Sequence, residues 1–226
     1  MAVILSIETS SKNCSVCVSE NENILSLVEH YDDNYSHAEN LHVFIKEALQ
    51  RASFSFQDLS AIAVSKGPGS YTGLRIGVSA AKGLCYALEK PLIAISTLEA
   101  MAHKIEIEKG CIVPMLDARR MEVYAAVFDN TYREIREIKA EIINENSFSD
   151  QLAQGPVHFI GTGVSKCIGV IKHPNAVFYK DHQLPSAKEM AKLANEQFKK
   201  GHCEDVAYFE PFYLKDFIGN KSAKKG

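Results

Sequence analysis

The stretch Gly67-Pro68-Gly69-Ser70-Tyr71-Thr72-Gly73-Leu74-Arg75-Ile76-Gly77 joins an apolar run, Ala61-Ile62-Ala63-Val64, to a helical pattern that reaches about Leu88 and stops before Pro91. Proline cannot continue a helix, so this order predicts a strand-turn-helix junction. Gly67 and Gly69 allow backbone angles that other residues avoid, Pro68 stiffens the turn, and Ser70 or Thr72 can cap the free N–H groups of the new helix. Such a corner presents donors to an anion, which makes Gly69 and Ser70 candidate phosphate contacts. The spacing is G-x-G-x-x-x-G, one residue off the dinucleotide fingerprint, and the Gly-Lys-Ser/Thr ending of a P-loop is missing, so neither nucleotide motif is matched. Inside the helix Gly73, Gly77 and Ala81 recur every four residues. Glycine costs a helix interior roughly 1 kcal/mol against alanine, so this stripe asks for a close neighbour, either within the chain or on a second protein.

With 226 residues, 46% of them hydrophobic, the chain forms one large domain or two small ones with a full core. A formal charge of −3 gives no global basic field, which argues against autonomous tight binding of nucleic acid and leaves room for a local patch. The cysteines at 14, 17, 85, 111, 167 and 203 are scattered through apolar runs, unlike a disulfide scaffold. They point to a reducing cytoplasm. Val3-Ile4-Leu5 is too short for a signal peptide or a membrane span, and no membrane association is expected.

The chain opens with a predicted hairpin, residues 3–7 and 14–18, and a third strand over 24–29. Glu8, Thr9 and Ser10 lie where the first strand ends. A carboxylate and hydroxyls at a tight turn can hold phosphate oxygens and magnesium, or simply cap the turn. Cys14 and Cys17 form a lone C-x-x-C within a strand and read as buried strand cysteines. From Ser36 to Ala52 the residues Leu41, Phe44, Ile45, Ala48, Leu49 and Ala52 follow helical spacing, with Ser36 and Glu39 placed as a capping box. His37 and His42 are five apart and do not share a face as zinc-binding histidines would.

After strand 92–95 and helix 97–104 the opening order returns. Residues 111–116 lead to Asp117, a polar turn, a strand over 122–128, another turn and a strand near 134–138. Strand, acid, turn, strand, turn, strand thus occurs twice, which predicts two similar halves across a cleft, divided into residues 1–105 and 106–226. The helix ending near Lys200 and the tail after it are free to pack back on the first half. A strand over 157–160 enters Gly161-Thr162-Gly163, another turn where a backbone can approach a ligand. Ser186 and Glu189 are placed to cap the helix that ends at Gly201, and Lys221, Lys224 and Lys225 make the terminus basic.

The glycine run 67–77, Ser36-His37-Ala38-Glu39-Asn40-Leu41, Ile95-Ser96-Thr97-Leu98-Glu99-Ala100 and Asp117-Ala118-Arg119-Arg120-Met121-Glu122-Val123-Tyr124 closely resemble the bacterial TsaB (YeaZ) family. Pro211-Phe212-Tyr213-Leu214-Lys215 is similar to that family's Pro-x-Tyr-Leu-Arg ending, with lysine for arginine. The resemblance implies an α/β, actin-like ATPase (ASKHA, ribonuclease H-like) fold and a role in threonylcarbamoylation of the anticodon-adjacent adenosine in ANN-reading tRNAs. It implies a non-catalytic subunit that binds and activates its paralogue TsaD, with the ATPase TsaE completing the assembly. It also implies a homodimer when the chain is alone, and tRNA engaged indirectly through the complex.

The resemblance further implies no intrinsic cofactor, with ADP or ATP at the complex interface. In the paralogue a His-Leu-Glu-Gly-His-like segment holds a metal; here Thr97 and Met101 stand at both histidine positions, so no metal site is expected. Glu8 stands where most relatives have aspartate, which would displace the carboxylate from a magnesium shell. The family pairs two long helices with the paralogue, and His37, Leu41, Ile45, Gly73, Leu74, Gly77, Val78 and Ala81 are the candidate partner contacts. Thr9, Ser10, Gly69, Ser70, Asp117, Gly161 and Gly163 are the candidate phosphate contacts, and no residue is assigned a catalytic role. The alternative is an autonomous actin-like ATPase or phosphotransferase using Glu8, Asp117 and the 161–163 turn. A peptidase ranks last, because no serine elbow, His-Glu-x-x-His or cysteine-histidine signature is present.

Overall fold

Val3, Leu5 and Ile7 point to one face of the first strand and Ile4, Ser6 and Glu8 to the other, and both faces are covered. The computed structural model describes residues 1–31, 37–181 and 184–215. Its first sheet comprises β1 (Val3–Glu8), β2 (Asn13–Glu20), β3 (Asn23–Tyr31), β4 (Ala61–Gly67) and β5 (Leu92–Ser96), in the order β3-β2-β1-β4-β5. The first three strands are antiparallel neighbours, while β4 and β5 run parallel to β1. One face packs on α1 (His37–Ala52) and α2 (Tyr71–Leu88) through Leu41, Ile45, Val78 and Ala81. The predicted cap Ser36 and the lysine-rich terminus lie outside the described residues.

The short helix α3 (Thr97–Ala102) leads to the second sheet, formed by β6 (Cys111–Asp117), β7 (Glu122–Asp129), β8 (Glu134–Ile142), β9 (Val157–Ile160) and β10 (Ala176–Phe178). Its order, β8-β7-β6-β9-β10, repeats the first sheet strand for strand, with the same antiparallel and parallel pairings. This is the two-lobed actin-like α/β arrangement. The helices α4 (Ser149–Gln154) and α5 (Val164–Cys167) cover one of its faces through Leu152, Val164 and Cys167.

The chain then returns to the first lobe. Met190, Ala191, Leu193 and Ala194 of α6 (Met190–Lys199) cover the face made by Ile4, Cys17, Ala61, Ala63, Ile93 and Ile95. The reciprocal capping box predicted for Ser186 and Glu189 does not form: the Ser186 hydroxyl accepts from Lys188 N at 3.2 Å and donates to Glu29 Oε2 at 2.7 Å, while Glu189 pairs with Lys104 at 3.1 Å. Burial opposes the charge on Glu29, but hydrogen bonds from Ser186, Asn13 and Ser15 together outweigh it and hold the carboxyl below its ordinary range. Cys14 and Cys17 fall in the cores on opposite faces of the first sheet, so they cannot share a ligand; burial pushes both thiols up to about 12.

Candidate functional site

The glycine corner closes on the chain itself. Ser70 caps α2 by accepting from Gly73 N at 3.3 Å, as predicted, but its own N–H donates to Ser10 O at 2.6 Å. A methyl on Gly69 would lie 2.5 Å from that carbonyl oxygen, so the corner needs glycine to approach Ser10. Thr9 and Ser10 are buried, and Thr9 Oγ1 donates to Gly73 O at 2.8 Å. Of the candidate phosphate contacts here, Thr9 and Ser10 are thus buried and engaged within the chain, while Gly69 and Ser70 are half-buried. Beside them Glu8 is wholly buried, with Oε1 accepting from Ser10 N at 2.6 Å and Ser65 Oγ at 3.0 Å. Burial raises its pKa despite those hydrogen bonds.

The matching end of the second lobe carries an exposed, paired carboxylate. Asp117, the last residue of β6, pairs with Lys166 at 2.7 Å and accepts from Arg119 N at 2.6 Å. Gly161 has φ of 103°, and a methyl there would collide with the Met115 carbonyl and lie 2.5 Å from Met101 Cε; at Gly163 it would press on Val123 and Met115. Both glycines let the turn pack closely on β6. The carboxylates do not fit a magnesium-phosphate site, since Glu8 has no accessible surface and Asp117 is held by an ammonium. Among the described residues no three His, Cys, Asp or Glu side chains are grouped to hold a metal ion.

Between these ends lies α3. Thr97, Leu98, Ala100, Met101 and Ala102 are buried, with Ala100 in the core beneath α6 and Leu98, Met101 and Ala102 in the core on the second sheet. The residues that replace two histidines thus form part of an apolar joint between the lobes. The sequence predicts a helix here, with Leu98, Ala100, Met101 and Ala102 as its apolar residues, but not that two cores share them.

The glycine stripe of α2 faces inward. A methyl on Gly73 would collide with the Thr9 carbonyl and one on Gly77 with Thr9 Oγ1. His37, Leu41, Ile45, Leu74, Val78 and Ala81 are buried in the first lobe, and His37 Nε2 lies 2.6 Å from Ser11 O. These eight positions are consequently internal, and their assignment as direct partner contacts is corrected. Packing α2 down onto β1 consumes them. The outward faces carry Ala38, His42 and Val43 on α1 and Thr72, Ser79, Gly83 and Tyr86 on α2, with Val43 59% and Tyr86 84% exposed.

The tail straps across the molecule. Glu204 pairs with Leu92, Lys82 donates to the carbonyls of Ala207 and Phe209, and Phe212 N donates to Lys66 O at 2.7 Å. Tyr213 packs on Tyr71 with ring centroids 4.8 Å apart and accepts from Arg75 Nε at 3.3 Å, and Lys215 pairs with Glu122 on the second lobe.

Residues 33–221 match the family described as "TsaD: tRNA N6-adenosine threonylcarbamoyltransferase". The chain is 31% identical over 196 residues to the tRNA threonylcarbamoyladenosine biosynthesis protein TsaB of Buchnera aphidicola subsp. Schizaphis graminum, covering 83% of this chain and 90% of that one. This chain belongs to the TsaB (YeaZ) family. It is also 29% identical to Escherichia coli TsaB over 96% of both chains. Among solved structures, a Pseudomonas aeruginosa protein with similarity to peptidase YeaZ superposes with a TM-score of 0.81 at 26% identity, covering 95% of this chain and all of that one. No helix among the described residues of this TsaB-family chain is long and apolar enough to cross a membrane.

Proposed function

We propose that this TsaB-family chain serves tRNA threonylcarbamoyladenosine synthesis as a non-catalytic subunit that docks on and activates a TsaD-type paralogue. The observation that carries the reading is the outer face of α1 and α2. Val43 and Tyr86 stand exposed there beside Ser79 and Gly83, whose small size leaves room for a second helix pair to approach. The state of the two acids an autonomous phosphotransferase would use supports the non-catalytic half of the reading, since Glu8 is buried and Asp117 is ion-paired. The same face is the surface through which the chain self-associates when the paralogue is absent, and ADP or ATP belongs to the assembled complex.

The test mixes the chain with the TsaD-type protein of its own organism and measures native mass and affinity for wild type, Val43→Glu and Gly83→Arg. A heterodimer at micromolar concentration, weakened at least tenfold by either substitution with unchanged circular dichroism, is expected. No heterodimer, or variants that bind as wild type does, sinks the reading.

A further inference from the structure

We propose that the tip of the β6–β7 hairpin, with Arg119 and Arg120, is a direct contact for the phosphate backbone of an RNA strand. Both arginines have positive φ, 71° and 50°, in a loop closed by Ala118 N to Glu122 O and Glu122 N to Arg119 O. Side chains with a Cβ adopt this backbone at a cost, and asparagine or glycine would sit there more comfortably. Two strained arginines in succession therefore call for a use outside folding.

Their surroundings leave them uncompensated. The nearby acids are already matched, Asp117 by Lys166 and Glu122 by Lys215, while neither guanidinium makes a hydrogen bond or ion pair among the described residues. A guanidinium fork suits phosphate oxygens. From the hairpin the surface runs along the strap to the first lobe, through Lys215, Tyr213 and Tyr71, to Arg75, whose guanidinium lies 4.1 Å from the Tyr71 ring centre. Glu210 is the acid close to Arg75. A patch that crosses from lobe to lobe, with arginines at both ends of a lysine and two tyrosines, fits a strand of linked phosphates and bases better than a single nucleotide. The choice of RNA rests on the tRNA-directed reading above.

The test compares wild type with Arg119→Asn/Arg120→Gly, residues that accept the left-handed backbone. Thermal unfolding is measured beside anisotropy of a labelled, unmodified tRNA transcript at salt from about 50 to 200 mM. The variant is expected to keep or raise its Tm, to lose about tenfold in affinity, and to show a salt slope shallower by about 1.5. A lower Tm, affinity within twofold of wild type, or no tRNA binding by wild type at low salt overturns the inference. So does stronger arginine-dependent binding of ADP or of a polyglutamate peptide than of tRNA. Because the assay uses this chain alone, losing the heterodimer reading leaves its outcome standing. A heterodimer whose chain shows no arginine-dependent RNA binding refutes only the present proposal.

Discussion

A missing side chain at Gly77 leaves room for the Thr9 hydroxyl group, which in turn donates to Gly73 O and locks α2 against the end of β1. Gly77→Ala is expected to cost about 1–3 kcal/mol in urea unfolding, because crowding outweighs the gain of roughly 1 kcal/mol in helix propensity. Gly73→Ala costs more, since a backbone carbonyl cannot rotate away. Gly83, with nothing within 4 Å of a methyl placed there, makes the opposite case, and Gly83→Ala stabilises the chain by about 1 kcal/mol. Equal effects at 77 and 83 would refute this account. The four-residue spacing of small side chains was legible in the sequence, but the neighbour it served was not, because Thr9 lies 64 residues from Gly73 and only the folded sheet brings them together.

Glu8 supplies a second test at the same scale. Its folded pKa is raised above the ordinary 4.5, so the proton is bound more tightly in the folded chain, and its contribution to stability is complete below pH 4.5 and lost as pH rises through the raised value. Glu8→Gln keeps an oxygen for Ser10 N and Ser65 Oγ and cannot ionise. The variant is expected to gain on wild type as pH climbs above 4.5, by up to about 1.4 kcal/mol per unit until the raised pKa is passed. Denaturant unfolding from acid to neutral pH reads this directly, and parallel stability curves for the two proteins would rule it out.

Among the elements α3 carries the largest difference between what its residues suggest singly and what they do together. Thr97 and Met101 in isolation are merely poor metal ligands. On one buried turn, with Leu98 and Ala102 against the second sheet and Ala100 against the first lobe, they make the segment a joint. Met101→Ala is expected to cost about 2–5 kcal/mol by opening a cavity in that joint. Hydrogen exchange is expected to quicken at the cleft ends of both sheets, near Ser96 and near Gly161, and an effect confined to one lobe would refute the joint. The helix itself was readable from its pattern. Its second contact surface was not, because periodicity reports that a face is apolar and not which sheet covers it.

Across the whole molecule, the duplication was visible because each half spells the same order of strands, acid and turns, and the two sheets have the same topology. The order left the last helix and tail free to pack back on the first half, and in the structure they do, so the first lobe is discontinuous. Ile4, Cys17, Ala61, Ala63, Ile93 and Ile95 stay dry only under α6, nearly a hundred residues downstream, and the strap from Glu204 onward ties β5, α2 and the glycine corner together. A fragment of residues 1–105 therefore lacks the cover for one face of its own sheet, and its α3 presents Leu98 and Met101 to water as well. Ile4, Ile93, Ile95, Leu98 and Met101 each forfeit about 1.5–3 kcal/mol when fully exposed, a sum comparable to the whole stability of an ordinary small domain. The fragment is expected to be insoluble or to bind a hydrophobic dye without a cooperative unfolding transition, while the full chain unfolds in one transition seen alike by near- and far-ultraviolet circular dichroism. A soluble 1–105 fragment that unfolds cooperatively would mean that α6 and the strap are accessories, and the lobes would then have to be treated as independently folding units.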